Sequence, residues 1–148
     1  MVRRSLQRKS RPRVKAKPRV LVVEDHDDTR LMIRTLLEMQ EFEVDEASDG
    51  DAGYDLAVSR KPDLILMDST LPLSDGVSVT QQIRRHGVIG NVPIIFLTGR
   101  AEPWRREAAL NAGCNDYLVK PIDLDRMVQV MHRWLDHDSQ ELMKGANA

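Results

Sequence analysis

The segment of residues 63–68 constrains the fold of this chain more than any other. It contains four consecutive apolar residues and ends abruptly in Asp68, and turn-forming residues including Asp75 and Gly76 follow it. A short apolar run that lies between turns and ends in a charge is typical of a buried parallel strand rather than of a helix. Because ligands bind beyond the carboxyl ends of strands in open α/β sheets, this pattern predicts that Asp68 lies at a functional site.

Apolar runs alternate with helical segments along most of the chain. The predicted strands cover residues 20–23, 42–47, 63–68, 92–97 and 117–119. Each is followed by a predicted helix, and we expect Asp27 or Asp28, Ser48 or Asp49, and Asp123 to cap three of these helices. Five strands that alternate with five helices imply right-handed crossovers and a parallel sheet that is covered on both faces.

Helical spacing of apolar residues predicts which face of each helix is buried. The predicted buried residues are Leu31, Met32, Thr35, Leu36 and Met39 in the first helix, Val79 and Ile83 in the third, Ala108, Ala109 and Ala112 in the fourth, and Leu124, Met127, Val128, Met131 and Leu135 in the last. Pro103 suits the first turn of the fourth helix and Gly113 its left-handed exit.

The charge distribution divides the chain into a basic arm and an acidic body. Residues 1–19 hold nine of the 22 basic residues and none of the 23 acidic ones, so the remainder has a formal charge of −10. We expect residues 1–18 to be a disordered arm, residues 19–136 to be one domain and residues 137–148 to be a polar tail. Cys114 is the only cysteine. A single cysteine and the lack of any long apolar run predict a cytoplasmic protein without a membrane span.

Four of the five predicted strands end in residues that can do chemistry: Glu24 and Asp25, Asp68, Thr98, and Lys120. We expect these side chains to meet at one edge of the sheet. Three clustered carboxylates repel one another unless a cation is present, and oxygen ligands suit Mg²⁺. A metal, an ammonium group and a hydroxyl group beside one carboxylate could neutralise an incoming phosphoryl group, and that carboxylate could itself be the nucleophile. We expect His26 to be an exposed loop residue rather than a ligand.

These motifs resemble the receiver domain of two-component response regulators, a family typified by the chemotaxis regulator. The resemblance covers roughly residues 19 to 136. It is carried by the acidic pair Glu24-Asp25, the strand ending in Asp68, the 72–76 turn, Thr98-Gly99, Ala112-Gly113 and the 116–121 segment. It implies a flavodoxin-like, doubly wound (βα)5 fold with a five-stranded parallel sheet of strand order 2-1-3-4-5.

The resemblance also implies a role for each site residue. Asp68 would accept a phosphoryl group from a phosphohistidine. Asp25, Asp68 and the main-chain carbonyl of Thr70 would bind Mg²⁺, or alternatively Mn²⁺, and Glu24 would act through a water molecule.

The remaining roles belong to a switch. Lys120 would contact the phosphoryl group, Thr98 would move towards it, and Tyr117 would turn inward. The surface formed by the fourth helix, fifth strand and fifth helix would then change its affinity for a downstream protein. The phosphate donor would be a sensor histidine kinase or a histidine phosphotransfer protein.

Several alternatives remain open from the sequence. We expect a stand-alone signalling protein rather than an enzyme. It would either switch its affinity for a protein partner or pass the phosphoryl group onward. A phosphorylation-dependent homodimer is one form that the protein contact could take. Residues 3–19 could instead bind nucleic acid, which the lack of aromatic residues there disfavours. A Mg²⁺-dependent phosphatase is disfavoured because position 70 is Thr70, where a second acid would be needed. An inert interaction module is disfavoured by the complete set of acceptor residues.

Overall fold

The structure is a computed structural model that describes residues 17–71, 75–99 and 103–147. Its elements in chain order are β1 (Arg19–Val23), α1 (Asp27–Met39), β2 (Glu43–Ala47), α2 (Gly50–Arg60), β3 (Leu64–Asp68), α3 (Gly76–Arg85), β4 (Ile94–Thr98), α4 (Pro103–Ala112), β5 (Asp116–Val119) and α5 (Leu124–Asn147). Most of the predicted basic arm and the 72–74 part of the predicted turn lie outside the described residues. The predicted strand boundaries agree with these elements to within two residues.

The five strands form one parallel sheet in the order β2-β1-β3-β4-β5. The predicted doubly wound, flavodoxin-like architecture is therefore confirmed. Strand β3 lies at the centre, with Met67 beside Val23 of β1 and Asp68 beside Leu97 of β4. This central position explains why all five residues of β3 are buried.

Alternate residues of the central strands enter two separate hydrophobic cores, one on each face of the sheet. One core joins the sheet to helices α2, α3 and α4, and it contains Val23, Met67 and Phe96 together with Ala57, Ile83 and Ala109. The other joins the sheet to α1 and α5, and it contains Val22, Leu66 and Leu97 together with Ile33, Leu37, Met127 and Met131. The stripes predicted for α3 and α5 contribute to these cores as expected.

The prediction for the buried face of α1 was wrong except for Leu36, which is partly buried and packs against the core. Ile33 and Leu37 are the buried residues of this helix, whereas Leu31, Met32 and Met39 are 57%, 47% and 72% exposed. The helix has apolar residues on two neighbouring faces, so apolar spacing alone leaves its rotation undecided. Two arginines on the Ile33 face form ion pairs with Glu46 of β2 and thereby favour the observed rotation.

The helix ends follow the local sequence in most places. Asp49 and Asp123 accept hydrogen bonds from main-chain N–H groups in the first turns of α2 and α5, as predicted. Helix α1 differs, because its N-cap is His26, which forms no side-chain capping bond, while Asp27 and Asp28 lie in its first turn. Gly113 has a φ of 108°, which is the left-handed region expected after α4.

Helix α5 continues to Asn147, beyond the predicted end near residue 136. Residues 137–147 contain no proline and include good helix formers such as Glu141, Leu142 and Lys144. These intrinsic preferences let the helix continue although the segment is polar. Within the described part of the chain, no helix is both long and apolar enough to cross a membrane.

Candidate functional site

The sheet brings the predicted site residues to its carboxyl-terminal edge. Asp68 is the last residue of β3 and Thr98 the last residue of β4. Glu24 directly follows β1, and Lys120 directly follows β5. The main-chain N–H of Lys120 donates to the carbonyl oxygen of Thr98 at 2.6 Å, which ties the ends of β4 and β5 together.

Lys120 links two of the carboxylates directly. Its Nζ lies 3.0 Å from Oε1 of Glu24 and 3.6 Å from Oδ1 of Asp68. The second oxygen of Glu24 accepts a hydrogen bond from the main-chain N–H of His26 at 3.1 Å. Glu24 is fully buried, so these two contacts compensate a carboxylate that has lost its hydration. The sequence suggested Asp68 as the partner of Lys120, and the structure places Glu24 closer.

Asp68 is held at the base of the site and is only 1% exposed. Its Oδ1 accepts hydrogen bonds from the main-chain N–H of Thr70 at 3.0 Å and from the Thr70 hydroxyl at 3.2 Å. Asp25 and Thr70 are both exposed, so the approach to the buried carboxyl group passes between exposed polar residues.

Gly76 allows helix α3 to begin directly against the end of β3. A Cβ atom at this position would lie 2.6 Å from the carbonyl oxygen of Asp68 and 3.1 Å from Cα of Ser69. The N–H of Gly76 also donates to the carbonyl oxygen of Ser69. Only glycine fits this close backbone contact, which brings the start of α3 against the end of β3.

The electrostatics of the site favour an added cation. The pKa of Asp68 is raised to about 7, mainly by burial; the Glu24 charge and a hydrogen bond with Asp25 contribute to the rise, and Thr70 and Lys120 oppose it. For Asp25, burial alone would raise the pKa, but hydrogen bonds, first among them the one with Asp68, lower it overall. Burial would lower the pKa of Lys120, yet its contacts with Glu24 and Asp68 raise it. One lysine therefore faces three acids, and the pair Asp25–Asp68 tends to retain a proton.

The donor atoms fit a hard divalent metal. Ligand atoms of Glu24, Asp25 and His26 lie within 4.8 Å of one another. His26 is exposed, as predicted. Carboxylate oxygens are the preferred ligands of Mg²⁺, and a cation of charge two would offset the excess of acids over Lys120. The donor atoms of these residues would therefore suit a magnesium ion.

Thr98 and Tyr117 lie on the same face of the sheet. Thr98 pairs with Val119 and Phe96 pairs with Tyr117 in the β4–β5 register, and paired residues of parallel strands share a face. Thr98 is buried, while Tyr117 is half-buried and packs against the core beneath helices α2, α3 and α4. The two residues are thus placed along one face, two register positions apart.

Sequence reasoning missed one residue at this site, Arg30. Its Nη1 donates to the main-chain carbonyl oxygen of Glu24 at 2.8 Å. Nothing local in the sequence distinguishes this arginine from Arg34 one turn later. Its partner Glu46 lies 16 residues away on β2, and the contact could be inferred only from the strand pairing of β1 and β2.

Comparison with known proteins agrees with this arrangement. The model of the response regulator receiver domain family matches residues 20–132. The chain belongs to this family. The receiver domain of the sensor histidine kinase PA1611 from Pseudomonas aeruginosa is 36% identical to this chain, with a TM-score of 0.77. The match covers 82% of this chain and 99% of that one. The structure of that receiver domain has a magnesium ion coordinated in the active-site cleft.

Two further relatives place this receiver domain among signalling proteins. A CheY-like receiver domain protein from Methanospirillum hungatei is 25% identical with a TM-score of 0.79, covering 85% of this chain and 99% of that one. The DNA-binding dual master transcriptional regulator RpaA of Synechocystis is 35% identical over 111 residues, which are 75% of this chain and 46% of RpaA. The match thus spans less than half of that regulator. The comparisons thus identify this chain as a receiver domain of the response regulator family.

Proposed function

We propose that this receiver domain accepts a phosphoryl group on Asp68 in a Mg²⁺-dependent reaction. The observation that carries the proposal is the contact of Lys120 with both Glu24 and Asp68, because it joins the ends of β1, β3 and β5 around one buried carboxyl group. The donor would be a phosphohistidine of a sensor histidine kinase or of a histidine phosphotransfer protein.

In the proposed reaction, an oxygen of the Asp68 carboxylate attacks the phosphorus atom and the bond from phosphorus to the donor nitrogen breaks. The histidine leaves with the electron pair of that bond, and the product is an aspartyl phosphate. A bound Mg²⁺ would supply charge neutralisation for the phosphoryl oxygens. We assign its ligands to Asp25, Asp68 and the main-chain carbonyl of Thr70, with Glu24 acting through water.

The lysine has a second role in the proposal. When the phosphoryl group arrives, Lys120 can pair with its oxygens, since Nζ already lies 3.6 Å from Asp68. The raised pKa of Asp68 makes this carboxylate more basic than an ordinary aspartate, and a metal that binds next to it favours the deprotonated form that attacks.

The output would be a change in the surface formed by α4, β5 and α5. Thr98 would move towards the phosphoryl group and Tyr117 would turn inward, which is a packing change that a local charge can bias. Leu110 on α4 and Val119 on β5 are exposed apolar residues that could contact a downstream protein or a second copy of the chain.

Labelling with acetyl phosphate and Mg²⁺ tests the proposal. We expect one base-labile phosphate per chain, no labelling in EDTA, and no labelling of Asp68→Asn. Thr70→Ser is a matched control, because it changes a neighbouring side chain while it keeps the main-chain carbonyl. Full labelling of Asp68→Asn, or continuous turnover of phosphomonoesters by the wild-type chain, would contradict the proposal.

A further inference from the structure

The side chain of Arg30 holds the main chain of the acidic loop, residues 24–26, which connects β1 to α1. Its Nη1 donates to the carbonyl oxygen of Glu24 at 2.8 Å, its Nη2 donates to Asp27 at 2.8 Å, and its Nε donates to Glu46 at 3.2 Å. One guanidinium group therefore joins the loop, the first residue of α1 and the edge strand β2. Three different nitrogen atoms of one planar group reach the three acceptors, whereas a lysine offers a single nitrogen atom.

The position of the bonded carbonyl gives this contact its importance. The C=O of Glu24 belongs to the peptide unit that connects Glu24 to Asp25, and a peptide unit is planar. Holding its oxygen therefore orients the backbone from which the Asp25 side chain projects. The main-chain N–H of Glu24 is held by Ala47 of β2 at 3.0 Å. Both main-chain groups of Glu24 are therefore linked to β2, the N–H directly through Ala47 and the carbonyl oxygen through Arg30, which is itself bonded to Glu46.

The loop has few other anchors among the described residues. His26, the N-cap of α1, makes no side-chain capping bond, and Asp25 is exposed. The described contacts of the loop with side chains from beyond it are those of Lys120 with the carboxylate of Glu24, of Arg30 with the carbonyl oxygen of Glu24, and of Asp68 with the carboxyl group of Asp25. The first places a carboxylate, and the second places the backbone that leads to Asp25.

From this geometry we infer that Arg30 is a positioning residue for the metal site. Arg30 sets the affinity for Mg²⁺ by orienting the Glu24–Asp25 peptide unit, without touching the metal. The inference rests on the proposed function, because it assumes that Asp25 is a metal ligand. A simpler alternative is that Arg30 only stabilises the packing of α1 on β2 through Glu46.

Arg34 provides a matched control for that alternative. It lies one turn further along α1 and pairs with the same Glu46, at 2.7 Å, and with Glu38, at 3.3 Å. Within the described part of the chain, the ion pairs of Arg34 are with Glu38 and Glu46 and do not involve the acidic loop. Arg34→Gln thus removes an ion pair between α1 and β2, as Arg30→Gln does, but leaves the carbonyl of Glu24 bonded.

The test is calorimetric titration of the full chain with MgCl2, together with urea unfolding in EDTA. We expect Arg30→Gln to raise the dissociation constant for Mg²⁺ by roughly 10- to 100-fold, the usual effect of losing a residue that orients metal ligands. Arg34→Gln should stay within about twofold of wild type. The Mg²⁺ concentration that half-saturates labelling by acetyl phosphate should rise with the dissociation constant, while the rate at saturating Mg²⁺ changes little.

The outcomes separate this inference from the proposed function. A wild-type chain that binds no Mg²⁺ would overturn both. Normal Mg²⁺ binding by wild type with an unchanged constant in Arg30→Gln, or an equal loss in Arg34→Gln, would overturn the positioning role alone. If Arg30→Gln does not fold, Arg30→Lys takes its place. A lysine keeps the positive charge but replaces three bonding nitrogen atoms with one, so an intermediate loss of affinity supports the inference and wild-type affinity refutes it.

Discussion

Replacing Asp68 with asparagine should stabilise the metal-free protein at high pH and have a smaller effect at low pH. Asparagine keeps the oxygen that accepts the two hydrogen bonds from Thr70. It removes a charge that is buried beside Glu24, at a position that is 1% exposed. The difference in unfolding free energy between Asp68→Asn and wild type therefore reports the titration of Asp68 together with its effect on the hydrogen-bonded Asp25.

The size of the effect follows from the pKa of Asp68, which folding raises from 3.8 to about 7. Between these values the folded state binds more protons than the unfolded state, so stability is fully present at low pH and is lost as the pH rises towards 7. The slope is about 1.4 kcal/mol per pH unit. Between about pH 5.5 and about pH 8, wild type should lose about 2 kcal/mol relative to Asp68→Asn.

Urea unfolding in EDTA, followed by far-ultraviolet circular dichroism at the two pH values, measures this difference. Adding Mg²⁺ at the higher pH should reduce the difference in unfolding free energy between Asp68→Asn and wild type. The folded wild-type protein has all its carboxylates available to bind the metal, and this binding stabilises it. A stability difference that stays constant between the two pH values, or that shrinks as the pH rises, would refute the account of a carboxylate destabilised by burial.

Three further substitutions test other contacts by urea unfolding. Lys120→Ala should cost about 3 kcal/mol in EDTA, because it leaves the fully buried carboxylate of Glu24 without its cation, and a loss below about 1 kcal/mol would contradict that pairing. Arg84→Met should cost roughly 2–4 kcal/mol, because it removes hydrogen bonds from a half-buried guanidinium group to three main-chain carbonyls and one side-chain amide. The exposed neighbour serves as its control, since Arg85→Met should change stability by less than about 0.5 kcal/mol. Thr80→Val should stabilise by about 1 kcal/mol, because the Thr80 hydroxyl is buried and has no hydrogen-bond partner among the described residues, and destabilisation would indicate a hidden partner.

The sheet could be predicted from the sequence because each strand carries its own local signal. Apolar runs that end in a polar residue mark β1, β3 and β4, and the helices between them force parallel pairing. The meeting of Glu24, Asp68 and Lys120 then follows from topology alone.

Features that depend on contacts between distant residues could not be predicted in this way. The rotation of α1 is set by ion pairs of Arg30 and Arg34 with Glu46, and apolar spacing does not contain that information. Lys120 lies closer to Glu24 than to Asp68, and this difference depends on the conformations of side chains that are 96 positions apart in the sequence. Helix α5 extends beyond residue 136 because local helix preference outweighs the loss of apolar periodicity.

The acidic residues of β2 bear on how the molecule behaves in concentrated solution. This strand forms one border of the sheet, where unpaired main-chain groups could recruit a strand from another molecule. Arginines are paired with each of its three acids, Glu43, Asp45 and Glu46. An incoming strand would have to approach a border lined with charged, hydrated side chains. Charges along this border therefore disfavour the addition of a strand from a second copy of the chain.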